Sequence, residues 1–161
     1  MPTSYPAPSE DAVKTLLAGA VAVTVKVHIA DAPDPDDEAV GAFASYVTED
    51  NAPAVLAFAN PAAINAIGGP MAEVEAEAIG EANEKGVILD PAFEKFQEVA
   101  GSLAVCLNSD FTKPVTLKDV QKAPAQLSDD TNELRRQPPG RRAFRVDAEG
   151  LGSGSVILYI G

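Results

Sequence analysis

The sequence predicts a single α/β domain over residues 1–161, with α+β as the alternative fold class, in which helices flank a mixed β-sheet. Three observations support this prediction. Residues 21–29 alternate valine or isoleucine with other residues, which is the period of a strand. Residues 54–91 follow the pattern strand, helix, helix, strand. Residues 143–146 and 155–160 are apolar and are joined by a glycine-rich segment, which predicts a C-terminal β-hairpin.

The first third of the chain predicts a helix and three strands. Apolar residues at helical spacing behind an acidic first turn predict a helix over residues 9–19, which leads into the alternating strand. An acidic, proline-containing loop at 31–38 follows. Its carboxylates do not have the spacing of a calcium-binding loop, so no metal site is predicted there. Two further strands at 40–48 and 54–59 are separated by a short turn and predict a hairpin.

A repeated signature marks both strand ends within residues 54–91. It reads Asn60-Pro61-Ala62 at the first strand and Asp90-Pro91-Ala92 at the second, a strand over residues 87–89. An Asn or Asp side chain suits a helix N-cap, and proline suits the first helical position, where its missing N–H costs nothing. The signature therefore predicts two points at which a strand turns into a helix. The first helix is predicted to end at Gly68-Gly69, and the second to run over 71–84.

The remaining elements are less regular. Apolar spacing predicts a helix over residues 90–101 and a strand over 103–107, and one or two helical turns after residue 116. Residues 124–141 are polar and rich in proline, which predicts an extended or mobile loop. Helices that alternate with strands favour crossover connections, so the sheet is predicted to be at least partly parallel.

The composition excludes several classes of function. The formal net charge is −12, so most of the surface would repel a phosphate backbone and no nucleic-acid partner is expected. No apolar run approaches the roughly 18 residues of a membrane-spanning helix, and acidic residues at 10 and 11 do not fit a secretion signal. A single cysteine excludes an intrachain disulfide. The protein is predicted to be cytoplasmic, without a membrane partner.

No catalytic set is apparent in the sequence. The only histidine, His28, and the only cysteine, Cys106, both fall within predicted strands, whereas a nucleophile needs a base within hydrogen-bond reach. No helical pattern follows the glycines at 150–154, which therefore predict a hairpin turn rather than a phosphate-binding loop. We predict no catalytic residues, no cofactor and no metal. The chain is predicted not to be an enzyme, and a hydrolase is the least favoured function.

All the arginines of the chain lie within eleven residues, in the segment RRQPPGRRAFR. The net charge is −15 up to residue 134 and +3 from residue 135 onward. Arginines that flank a proline pair suit bidentate recognition of carboxylates, which favours a partner-binding segment. The alternative is that the segment folds across the protein's own acidic surface, and the sequence leaves both open. The predicted partner-binding residues are Arg135, Arg136, Arg141, Arg142 and Arg145.

Three segments of residues 9–91 carry a family resemblance. They are a helix running into a valine-rich strand (AVKTLLAGAVAVTVKV), a strand leading into a short helix (AVLAFANPAAINAIGG), and the strand end VILDP at 87–91. In these segments the chain resembles the N-terminal domain of the SseB-like (enhanced serine sensitivity) family, with Ala59-Asn60 where that family favours Thr-Ser. The resemblance implies a bacterial protein and supplies no catalytic residues, because the family has no agreed set.

The predicted function is a non-enzymatic protein–protein interaction module of the SseB-like type. Its acidic body carries the arginine-rich segment, which would contact a protein partner or a second copy of the chain. The alternative is a small-ligand or anion-binding protein that uses the free N–H groups of a helix N-terminus near a strand end. The capping side chains at Asn60 and Asp90 argue against this alternative, because each is predicted to occupy its own helix terminus.

Overall fold

The computed structural model describes residues 15, 25–30, 41–50, 52–108, 115–122, 129–136, 140–148 and 152–160. The strands within these ranges are β1 (Val25–Ala30), β2 (Ala42–Val47), β3 (Pro53–Ala59), β4 (Thr116–Lys122), β5 (Gly140–Ala148) and β6 (Gly152–Ile160). The helices are α1 (Pro61–Met71), α2 (Ala76–Lys85), α3 (Asp90–Asn108) and α4 (Asp129–Arg136). The helix predicted over 9–19, apart from helical Thr15, and the acidic loop at 31–38 lie outside the described residues.

The strands form one sheet in the order β1-β5-β6-β3-β2-β4, and every pairing among them is antiparallel. The fold class is confirmed in its α+β form, with helices on both faces of the sheet. Both predicted hairpins, β2–β3 and β5–β6, are also confirmed. The C-terminal hairpin lies inside the sheet, between β1 and β3. The predicted parallel pairing is wrong for the described strands, because neither segment expected to follow a crossover helix is a strand.

The first of these segments, residues 87–89, is irregular because a side chain binds its backbone. The Leu89 N–H donates to Asn65 Oδ1 at 3.0 Å, and Asn65 Nδ2 donates to the Val87 carbonyl at 2.8 Å. Backbone polar groups must find partners when they are shielded from water, and here a helix side chain supplies them in place of a neighbouring strand. Helix α3 then begins at Asp90 itself.

The second segment, residues 103–107, continues α3 instead of forming a strand. Leu103 and Ala104 extend the apolar face begun by Phe96 and Val99, and all of these side chains pack into the same core cluster. Gly101 lies within the helix at an exposed position. A helical glycine costs about 1 kcal/mol relative to alanine, which the burial of these side chains outweighs.

Two further elements differ from the prediction. Residues 116–122 form β4 rather than a helix, since β2 offers them a hydrogen-bonding edge, and Leu117 and Val120 pack against the core. Residues 129–136, predicted as part of an extended loop, form α4. This helix has Asp129 and Asp130 in its first turn and two arginines in its last turn. Both charge signs match the helix macrodipole, which explains helix formation in a strongly polar segment.

The sheet divides the core into two apolar clusters. The larger lies on the face covered by α1 and α3, and includes Tyr46, Ile64 and Phe144. The smaller lies on the opposite face, which we call the α4 face, where Leu134 of α4 packs against it. Its members are Phe43, Leu56, Phe58, Ala143, Ile157 and Tyr159.

Helix α1 is the most deeply buried helix among those described, with residues 63–69 all buried. It is enclosed by the sheet, α2 and α3, and glycines permit the close approach on two sides. A Cβ atom on Gly68 would lie 2.7 Å from the Ala92 carbonyl carbon of α3, and one on Gly154 of β6 would overlap the Ala63 backbone. Residues 54–91 are therefore the packing centre of the described structure.

The C-terminal end of α1 provides a first testable prediction. Glu73 has a φ of 61°, the left-handed conformation in which helices usually place glycine. The flanking hydrogen bonds, from Glu73 N to Pro70 O and from Val74 N to Gly69 O, are those of a Schellman motif. We expect Glu73→Gly to raise the free energy of unfolding by about 0.5–1 kcal/mol, because glycine relieves the backbone strain.

Urea denaturation measures this difference, and α2 supplies the comparison. Gly86 caps α2 at a φ of 66°, with open space where a Cβ would be added. We expect Gly86→Ala to cost about 1 kcal/mol through the same backbone term with its sign reversed. Equal effects of the two substitutions would rule out backbone conformation as the cause.

Candidate interaction surface

The predicted partner-binding arginines fall on two elements. Arg135 and Arg136 occupy the last turn of α4, and the other three lie on β5. Successive strand residues point to opposite faces of a sheet. Arg142 pairs with Leu158 of the larger cluster, so it lies on the face covered by α1 and α3. The other four arginines lie on the side of α4, and we call this set the arginine surface: Arg135, Arg136, Arg141 and Arg145.

Two guanidinium groups of the arginine surface lie over aromatic rings. Arg135 Cζ is 5.7 Å from the Phe43 ring centroid, and Arg141 Cζ is 5.3 Å from the Tyr159 centroid. Both rings are buried, so each arginine covers the outer side of an aromatic core residue. A cation–π contact at an exposed site contributes about 0.5–1 kcal/mol, and it also restricts the orientation of the planar guanidinium group.

Phe43 and Tyr159 were not predicted as part of the site. Tyr159 is the direct cross-strand partner of Arg141, and Phe43 packs on Phe58 with ring centroids 5.1 Å apart. The sequence analysis began the strand at residue 143, so it did not apply period-two alternation to Arg141. Extending that alternation by two residues would have separated Arg142 from the others. The pairing with Tyr159 needs the register of the hairpin, which the turn alone did not reveal.

Arg145 pairs with a carboxylate of its own strand. Its Nε lies 3.1 Å from Asp147 Oδ1, with the two side chains 60% and 31% exposed. An exposed ion pair of this kind stabilises the fold by at most about 1 kcal/mol and exchanges readily with other partners. The structure thus supports self-neutralisation for Arg145 in part, while the side chains of Arg136, Arg141 and Arg145 remain exposed.

The opposite end of the α4 face is acidic. Asp119 of β4 is exposed and accepts a hydrogen bond from Gln121 Nε2 at 3.1 Å. The register places Arg141, Tyr159, Leu56, Ser45 and Asp119 in one row across five strands. Strands are spaced about 4.8 Å apart, so arginine and carboxylate lie roughly 19 Å from one another in this row. The α4 face therefore has a positive and a negative end, with α4 between them.

The anion-binding alternative finds its helix terminus occupied. Asn60 Oδ1 accepts hydrogen bonds from Ala63 N at 2.9 Å and from Ser155 N at 3.0 Å, which confirms the predicted cap of α1. The second bond also ties the start of α1 to β6. An anion at this terminus would have to displace a side chain that satisfies two backbone donors.

The residues considered for nucleophilic catalysis lie on two different elements. His28 is in β1, as predicted, and Cys106 is in α3 rather than in a strand. Among the residues whose positions the structure gives, no group of three or more His, Cys, Asp or Glu side chains could hold a metal ion. Within the same ranges no helix combines the length and apolar character needed to cross a bilayer.

No family model and no curated protein matches the chain. Solved structures match its fold over nearly the whole length. A chain of the FliG–FliM complex from H. pylori has a TM-score of 0.60 at 7% identity, covering 94% of this chain and 86% of that chain. A chain of the FliM–SpeE complex from H. pylori has a TM-score of 0.59 at 10% identity, covering 94% and 80%.

FliY from Thermotoga maritima has a TM-score of 0.55 at 12% identity, covering 96% of this chain and 85% of that chain. None of these three structures is named for the SseB-like family, so the resemblance of residues 9–91 to that family stays a prediction. At identities this low, similarity over both chains concerns the fold. The chain therefore shares its α+β fold with the FliM and FliY chains in these structures.

Proposed function

We propose that this protein is a non-enzymatic protein–protein interaction module that binds carboxylate-bearing protein surfaces through its arginine surface. The observation that carries the proposal is the clustering of exposed Arg136, Arg141 and Arg145 on one side of a chain with a net charge of −12. Guanidinium groups bind carboxylates in a bidentate, directional manner, so a local cluster can be specific within an otherwise repulsive surface.

The fold supports the same function. Two of the similar structures are complexes, FliM with SpeE and FliM with FliG, and FliM and FliY are proteins of the flagellar switch. A scaffold of this kind that serves in protein assemblies is compatible with an interaction role here. The SseB-like membership, the bacterial origin and the cytoplasmic location predicted from the sequence remain predictions beside this proposal.

A matched pair of triple variants tests the proposal. The first replaces Arg136, Arg141 and Arg145 with serine. The control replaces Lys85, Lys95 and Lys118 with serine, which changes the net charge equally at sites outside the arginine surface. We expect the arginine variant to weaken association at least tenfold and the lysine control to retain it, since only the first removes the bidentate donors.

Association is measured by affinity capture with quantitative mass spectrometry, and self-association by light scattering after size-exclusion chromatography. Exposed substitutions change stability by about 0.5 kcal/mol at most, so both variants should remain folded, which thermal unfolding verifies. If the arginine variant keeps the partners and the oligomeric state of the wild type, the proposed surface is wrong. Equal losses in both variants would indicate a general charge effect rather than a contact surface.

A further inference from the structure

A cavity of about 40 Å³ lies between the sheet and α3, on the face opposite the arginine surface. Phe96, Val99 and Leu103 of α3 form one wall. The strands beneath contribute Ala44, Ala57 and Ala59. The lining is apolar apart from the hydroxyl of Tyr46.

The cavity arises because the sheet is low at this point while α3 is held above it. Ala44 of β2 and Ala57 of β3 are direct cross-strand partners, so two methyl groups meet where strands usually place larger β-branched or aromatic side chains. Beside them, the Tyr46 hydroxyl donates to the Ala100 carbonyl of α3 at 2.6 Å. This buried hydrogen bond fixes the height of the helix above the alanines, so the helix does not settle into the space.

The chemistry of the cavity favours an apolar occupant over water. A buried water needs two to four polar partners, and the one polar group in the lining is already donating to Ala100. An empty space also forfeits the dispersion contacts of every side chain around it. An apolar atom or short alkyl group recovers those contacts without requiring any hydrogen bond.

We propose that this cavity is a binding site for a small hydrocarbon group. The site is separate from the arginine surface, and it takes its ligand by shape and dispersion alone. A cavity of about 150 Å³ is known to admit benzene or xenon, so one of about 40 Å³ suits a smaller occupant, such as a single xenon atom or a short alkyl group.

The test uses the full chain with xenon and with n-butane as separate probes. Methyl resonances of Val99, Leu103 and Val156, which line the cavity, are followed by ¹H–¹³C NMR as each probe is added. We expect saturable shifts at these methyls for at least one probe. We also expect a rise in Tm of about 4 °C at ten times its Kd, because the probe binds the folded state.

Two filling variants and one control give the result its specificity. Ala57→Val and Ala44→Val each place methyl groups in the cavity, and Ala52→Val adds the same groups at an exposed position. We expect either filling variant to reduce the shifts at least tenfold and the control to leave them unchanged. No saturable shift with either probe in the wild type overturns the proposal, as do shifts that persist in both filling variants. If neither variant folds, the wild-type titration decides.

Discussion

Gly68→Ala is expected to lower the free energy of unfolding by about 3 kcal/mol, although alanine is the better helix former. The added Cβ would meet the backbone of Ala92, at 2.7 Å from its carbonyl carbon and closer to its oxygen. A backbone carbonyl cannot change rotamer to make room, so α1 and α3 must separate along their contact. That separation also disturbs the fit of both helices on the sheet, which explains why the cost exceeds the roughly 1 kcal/mol gained in helix propensity.

Gly80→Ala is the matched control, because Gly80 also lies inside a helix. It is exposed on α2, and a Cβ atom there would have nothing within 4 Å. We expect this change to raise the free energy of unfolding by about 1 kcal/mol through helix propensity alone. Urea denaturation of both variants gives the two values. A Gly68→Ala protein as stable as the Gly80→Ala protein would show that α1 and α3 do not pack as closely as the structure indicates.

Asn65→Ala is expected to cost about 3 kcal/mol. Asn65 is fully buried on α1, and its amide makes three hydrogen bonds: from Nδ2 to Asn83 Oδ1 at 3.0 Å and to the Val87 carbonyl, and to Oδ1 from the Leu89 N–H. Alanine removes all three and leaves the two backbone groups without this partner. Each buried group that loses its bond costs about 1–3 kcal/mol, and partial entry of water limits the total.

Asn65→Asp separates the donor role of this side chain from its size. Aspartate has nearly the same shape and can still accept from the Leu89 N–H, but a carboxylate cannot donate to the Val87 carbonyl. We expect a loss of at least 2 kcal/mol at neutral pH, smaller in acid, where a protonated carboxyl regains one donor. Urea denaturation at pH 7 and pH 4 measures both effects. A loss below 1 kcal/mol for Asn65→Ala would contradict the role assigned to the amide.

Local signals in the sequence predicted the elements that carry their own start and stop. The Asn60-Pro61-Ala62 signature located the start of α1, and period-two alternation located β1, β5 and β6, because capping chemistry and alternation act within a few residues. Signals failed where tertiary contacts decide. Asn65 binds the backbone of residues 87–89 from a different helix, and the core accommodates Gly101 within α3. Neither effect is visible in a local window.

The candidate site was predicted by composition and completed by geometry. The clustering of arginines pointed to residues 135–145, and four of the five lie on one side of the sheet. The sequence could not show that Arg142 lies on the other face, because the start of β5 was taken for a loop. Nor could it show that the rings under Arg135 and Arg141 come from β2 and β6, since those contacts depend on strand order and register.

The placement of the C-terminal hairpin constrains the order in which the molecule can fold. β5 and β6 are translated after every other described strand, yet they alone join β1 to β3. While the ribosome has made only the first 139 residues, β1 has no described neighbour and β3 has one bare edge. Contacts this distant in sequence slow folding and leave apolar edges open to aggregation. A nascent chain paused before residue 140 is thus expected to be a substrate for chaperones that protect exposed strand edges.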